Sequence, residues 1–407
     1  MIFVPIAICL FFFLGGLTCS KNNPFAPSVL TSALWLGTLF LFLTVDHHLP
    51  PLSNYFFIVL SCWIFFLNVS SLCTQSVTYR QHHYNEPSMI MRNVFLILSV
   101  LTFPSLLQFA QTAIVGGCTG NWALDLRLAA LGKGSGFKET YGGWQTLIWP
   151  ISYMLELLCF KKKNWWRLGI ALFIYGAFGV VTMSKMVFLS IFLYSGCILF
   201  FKRIIRLKHV AFAFLFLLII FASLQMVRHS SQLSSVVSTF LSTYLLGNMS
   251  AFDTLAPCSA DYFGQNTFRV FYAIAYKVGL SGTEPVDAIL PWIEKPLVTN
   301  TYTGMYPFFV DFGIPGVIIF AVVLGAIYGW VFKKAQEGSN FSILAYAVIS
   351  HVIVVQYVAD MLFTNTAGYL KMLLLLLIPF YVNKHNLLVC KEKVVLTMDM
   401  VKSMFKF

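Results

Sequence analysis

His209 to Val227 reads HVAFAFLFLLIIFASLQMV, nineteen residues without an Asp, Glu, Lys or Arg. At a helical rise of about 1.5 Å per residue, such a stretch covers about 28 Å, close to the hydrocarbon thickness of a bilayer. Lys202, Arg203, Arg206 and Lys208 stand immediately before it and Arg228 immediately after it. Ten further apolar segments have the same character, so candidate spans fall at roughly 2–19, 28–45, 53–72, 92–115, 144–160, 166–182, 186–201, 208–227, 312–332, 341–359 and 366–383. Composition agrees. Of the 407 residues 58% are hydrophobic and 10% charged, with a mean hydropathy of +0.79. A soluble domain carries roughly 25% charged residues, so this chain has too little charge to cover a surface facing water. An outer-membrane barrel is excluded as well, because its strands would alternate polar and apolar residues. The expected fold is all-α: one polytopic transmembrane helical bundle over residues 1–407, with about eleven spans.

The net charge of +12 would suggest nucleic acid in a soluble protein. Here the cations cluster between apolar runs, the pattern that orients membrane proteins, and no nucleic-acid partner is expected. Lys21, Arg80, Arg92, Lys161–Lys163, Arg167, Lys202–Lys208, Lys333, Lys334 and the lysines of the C-terminal tail define a cytoplasmic set. The opposite face then carries a smaller outer loop at 116–143, the Ser184-Lys185 turn, a large outer loop at 228–306 and the 360–366 connection. Within the large loop, Val236–Leu246 and Phe268–Leu280 look like short interfacial helices. Ile2–Leu17 has neither the basic start nor the small-residue cleavage site of a signal peptide, and is read as a retained span.

The chain has 9 cysteines but no CxxC or Cys/His cluster, so no structural metal is expected. Cys118 and Cys258 both fall on the oxidising side; a disulfide between them is one expectation and two independent thiols the other. P-loop, HExxH, DxD and GxSxG patterns are absent. Glu156 is the exception to a near absence of acidic residues in the spans, which disfavours an ion-coupled carrier.

Functional groups gather on the outer loops instead. Arg127 lies in Asn121–Arg127, followed by a glycine-rich run, Gly132–Gly143, suited to holding an anion or to serving as a plain connector. Lys185 tips a very tight helical hairpin, where it either snorkels to lipid headgroups or meets a diphosphate. Arg269, Asp253, Asp261 and the segment Asn300–Gly316, with Tyr302, Tyr306 and Asp311, complete the set. Asp311 also fits a plain helix N-cap, and the tyrosines fit an interfacial belt.

The pattern Asn-x-Tyr-Thr, then aromatics, then Asp-Phe-Gly-x-x-Gly over Asn300–Gly316 resembles the O-antigen polymerase (Wzy-type) branch of the oligosaccharide repeat-unit polymerases. Ser184-Lys185-Met186 and Gly247–Leu255 are similar to further segments of that family. The Arg-x10-Gly motif of some members is not reproduced, since Gly279 and Gly136 follow Arg269 and Arg127 at other spacings. The resemblance implies a metal- and cofactor-independent glycosyltransferase of the bacterial inner membrane, acting on the periplasmic face in lipopolysaccharide biosynthesis. It would join undecaprenyl-diphosphate-linked glycan donor and acceptor, with a chain-length regulator as a further partner. Arg269, Arg127 and Lys185 would bind diphosphate and sugar, Tyr302 and Tyr306 would serve as sugar platforms, and Asp311, Asp253 or Asp261 would be the base. An O-antigen ligase and a flippase of lipid-linked oligosaccharide remain the alternatives.

Overall fold

Apolar length converts into helix along the whole chain. The structure is a computed structural model that describes residues 1–75, 86–132, 143–229, 245–287, 289–295 and 297–381. The helices are α1 (Phe3–Cys19), α2 (Pro27–Thr44), α3 (Asn54–Gln75), α4 (Met89–Val115), α5 (Trp122–Ala130), α6 (Gln145–Leu158) and α7 (Trp165–Val181). Then follow α8 (Lys185–Phe201), α9 (Leu207–His229), α10 (Gly247–Phe252), α11 (Arg269–Lys277), α12 (Tyr306–Gln336), α13 (Asn340–Val355) and α14 (Thr366–Tyr381). Among the described residues there is no strand, only an isolated bridge between Ile293 and Thr299.

Every predicted apolar segment contains a helix, but six are long and apolar enough to cross a membrane: α2, α3, α4, α9, α12, and α7 with the turn before it. α1, α8, α13 and α14 are shorter apolar helices. α6 is different in kind: of its fourteen residues, all but Thr146 and Leu147 are buried, so it is a core helix enclosed by its neighbours. Length alone does not separate an enclosed helix from a spanning one. Most of the predicted interfacial segment Val236–Leu246, the lysines of Gly132–Gly143 and the C-terminal tail lie outside the described residues.

Among the described residues two large apolar cores divide the bundle, beside a small third one of Ala251, Tyr302, Tyr306 and Val310. One joins α4–α8 with α13 and α14; the other joins α1–α3 with α10, α12 and α13. The tightest contact in the second is α12 on α3. Gly325 and Gly329 form a Gly-x-x-x-Gly pair whose added Cβ atoms would collide with the carbonyls of Leu67 and Ser71. Small residues at that spacing let two backbones approach where lipid supplies no hydrophobic drive for association. Ser70 Oγ donates to Val322 O at 2.7 Å across the same contact.

α12 starts earlier than the predicted span and breaks at Gly313, where φ is 63° and ψ −151°. Glycine takes this conformation without a Cβ clash, and Pro315 just beyond it cannot continue the preceding hydrogen-bond ladder. The first part of α12 therefore turns its carboxylate, Asp311, out toward the connecting segments. The Ser184-Lys185 turn is as tight as expected. Ser184 N donates to Gly179 O at 2.9 Å, and Met183 holds a positive φ of 49° so that α8 starts at once.

Candidate functional site

The connections after α7, before α12 and after α13 lie at one end of the bundle. Gly304 N donates to Gln356 O at 2.6 Å, joining the last two. A Cβ on Gly304 would lie 2.9 Å from that carbonyl, so only glycine permits this approach. His351, near the end of α13, interacts with the Met186 backbone at the start of α8.

Two cations from separate segments flank the α7–α8 tip. Asn121 caps α5 by accepting from Ala123 N and Leu124 N at 3.0 and 3.3 Å, a favoured N-cap. The nine-residue helix that follows brings Arg127 to the tip, where Nη1 donates to Thr182 O at 3.5 Å. Lys185, three residues on, donates to the buried Gln225 of α9 at 2.6 Å. Asn121 Nδ2 also donates to Val227 O at 3.2 Å, so α5, the tip and α9 are tied together.

Arg269 sits elsewhere at this end, held by carbonyls alone. Its Nε donates to Val286 O at 2.6 Å and its Nη1 to Thr364 O at 3.3 Å. Among the described residues it forms no ion pair, so its positive charge is not neutralised by a carboxylate. Two aspartates set up its surroundings without touching it. Asp311 accepts from Asn266 N, Asn266 Nδ2 at 2.8 Å and Thr267 N at 2.7 Å, which fixes the turn that leads into Arg269. Asp360 accepts from Leu362 N, Phe363 N and Thr364 N at 3.2, 2.9 and 2.8 Å, shaping the turn that offers Thr364 O. Burial pushes the Asp360 carboxyl up to about 6, against the opposing pull of these hydrogen bonds.

The other predicted residues divide. Asp253 accepts from Ser53 N at 2.7 Å and from Ser53 Oγ, and so secures the start of α3. Asp261 is exposed and makes no hydrogen bond or ion pair among the described residues. Tyr302 is 2% exposed and Tyr306 8%; their rings pack against each other at 4.9 Å, and Tyr302 donates to Pro291 O at 3.1 Å. These rings are core, because the 300–306 segment folds inward over α10, whose Asn248 accepts from Thr301 Oγ1 at 3.0 Å. An open sugar platform would need an exposed ring face, which neither tyrosine offers. Cys118 and Cys258 are both exposed free thiols, the second held against α12 by Cys258 N donating to Phe309 O at 3.2 Å.

The predicted short helix in the large loop is α11. None of its residues is buried, and Phe271, Ile274 and Tyr276 are exposed beside Arg269 and Lys277. That combination suits a helix lying in a membrane interface.

Asp360, Asn266 and Gln225 were not legible as site residues. Asp360 carries the one available signal, an Asp four residues before a Thr and six before a helix, which is a turn-and-cap pattern. Among the described residues no group of three His, Cys, Asp or Glu side chains is placed to hold a metal. The arrangement offers two anion-attracting points at one end of an apolar bundle and, of the three predicted base candidates, leaves Asp261 uncommitted. No family model, curated protein or solved structure matches the chain.

Proposed function

We propose that the chain is a multi-pass membrane glycosyltransferase that polymerises lipid-diphosphate-linked oligosaccharide repeat units, with about eleven spans and its working face on the periplasmic side of the inner membrane. The single observation that carries this reading is that Arg127 and Lys185, from separate segments, flank the α7–α8 tip. That tip lies at the bundle end opposite Lys161–Lys163 and Lys333-Lys334.

The chemistry follows from the charges. An acceptor sugar hydroxyl attacks the anomeric carbon of the donor; the bond from that carbon to the diphosphate oxygen breaks, and the lipid diphosphate leaves with the electron pair. Cations near the headgroup plane stabilise that departing charge. Arg127 and Lys185 serve one lipid diphosphate and Arg269 the other. The attacking hydroxyl passes its proton to a carboxylate. Asp261 takes that role, since the oxygens of Asp311 and Asp253 are committed to holding backbone and hydroxyl donors. Asp311 acts as a positioning residue for the Arg269 turn. Tyr302 and Tyr306 support the site from beneath rather than stacking on sugar.

Deleting the gene in its own cells tests the reading. A polymerase deletion leaves lipid-anchored core capped by a single repeat unit; uncapped core means a ligase instead. Purified full-length protein, given two lipid-linked repeat units in detergent without an energy source, should form polymer. A carrier would form none.

A further inference from the structure

At the opposite end of the bundle, Glu156 of the enclosed α6 is held by two guanidinium groups. Arg92 Nη2 donates to its Oε2 at 2.8 Å, while Arg167 donates through Nη2 to Oε1 at 2.7 Å and through Nε to Oε2 at 3.0 Å. Two cations face one carboxylate, so one positive charge is in excess. The Arg92 and Arg167 side chains are only 10% and 8% exposed. Among the described residues, Arg92 Nε and Asn93 Oδ1 are buried without a hydrogen-bond partner, an uncommon and costly condition. Among the described residues Arg167 Nη1 makes no hydrogen bond, which leaves that edge uncommitted.

A groove of about 400 Å³ between α4 and α7 begins beside this cluster, at Asn93 and Arg167. Its mouth is Asn93, Arg167 and the exposed Trp166, and its wall continues through Leu96, Val100 and Ile170 to Leu101. Val100 and Leu101 are 47% and 69% exposed, so the groove opens sideways to lipid. From Asn93 to Leu101 the helix rises about 12 Å, and the hydrocarbon of one leaflet is about 15 Å deep. The cationic mouth therefore stands at headgroup height and the apolar wall follows one leaflet inward. Arg167 packs over the Trp166 ring at 5.9 Å, an aromatic of the kind that sits in the interfacial belt, and the exposed Lys161–Lys163 precede it.

We propose that this groove is a binding site for a net-anionic glycerophospholipid of the leaflet nearest Lys161–Lys163, its phosphate on Arg167 and one acyl chain along Leu96–Leu101. Glu156 neutralises only half of the buried positive charge, and the headgroup phosphate supplies the rest. The Asn93 amide meets the polar glycerol region. This site lies away from Arg127, Lys185 and Arg269, so it stands whether or not the polymerase reading does.

Native mass spectrometry of the purified full chain tests it, with phosphatidylglycerol and phosphatidylcholine of matched chains titrated into detergent. One excess cation should favour phosphatidylglycerol by about fivefold. Val100→Trp fills the groove from its lipid-exposed side and leaves the ion pairs intact; it should remove the bound phosphatidylglycerol. Arg167→Gln, which leaves Arg92 and Glu156 balanced one to one, should keep lipid binding but lose the fivefold preference. Equal retention of both lipids by the unaltered protein, or phosphatidylglycerol undiminished in Val100→Trp, would overturn the proposal.

Discussion

Arg167, buried, and Arg269, half-buried, both stand near the ends of an apolar bundle, and their surroundings differ in one decisive respect. Arg167 has a carboxylate: Glu156 takes two of its N–H groups and shares its other bond with Arg92. Arg269 has only carbonyls, Val286 O and Thr364 O. Carbonyl oxygens satisfy hydrogen-bond geometry without cancelling charge, so Arg269 keeps its attraction for an incoming anion. Glu156, enclosed in α6, bolts α4, α6 and α7 together. An arginine tied to a carboxylate holds structure and keeps only its outer edge for a ligand, whereas one oriented by backbone carbonyls keeps its whole charge for one.

The largest effect expected from this contrast is on stability. Glu156→Ala leaves two guanidinium groups crowded and uncompensated, and should cost about 3–5 kcal/mol, read as a large loss of melting temperature of the purified protein in detergent. A melt matching the unaltered protein would erase the distinction between the two arginines. Next comes Arg269→Ala, which should lower polymer formation by about 100-fold, the scale of removing one charge-stabilising donor, with the protein still in the membrane and its melt nearly unchanged. Arg269→Lys should recover little of it, because an ammonium cannot span two diverging carbonyls as the guanidinium fork does. Full polymer ladders in either variant would place the chemistry elsewhere.

A smaller effect sharpens how Arg269 is held. The Asp360 carboxyl is raised by burial from 3.8 to about 6. The folded protein therefore binds a proton more readily than the unfolded chain between those values. Stability should be highest below about 4, fall as pH rises toward about 6, and level off above. Asp360→Asn should flatten that slope in melts recorded from pH 4 to 7; an unchanged slope would mean another group causes it. The smallest effect is a null result. Cys118→Ser/Cys258→Ser should match the unaltered protein in melt and polymer output within about 0.5 kcal/mol, as surface changes usually do, and non-reducing gels should show no mobility difference.

The polar clasps between distant segments were largely illegible beforehand. Asp311 was readable as a helix N-cap or a base; it is not the N-cap, and its oxygens hold the backbone of Asn266 and Thr267, 45 and 44 residues away in the chain. Tyr302 and Tyr306 carried an interfacial signature, yet the 300–306 segment folds inward and buries them. The tight tip at Ser184-Lys185 was legible, because its cause is local: two apolar runs with no residues to spare between them. Gln225 as the partner of Lys185 was not, since nothing near Lys185 in the chain points to α9.

Apolar runs and the basic clusters between them determined by themselves that this chain is a helical membrane protein and where its helices lie, because hydrophobic length and helical hydrogen bonding act within a single segment. Which helix is enclosed, which glycines bring α3 and α12 together, and which carboxylates are already occupied were decided only by tertiary structure. Those outcomes depend on backbone carbonyls, hydroxyls and charges supplied by segments far away in the chain, and no local pattern encodes a partner's arrival.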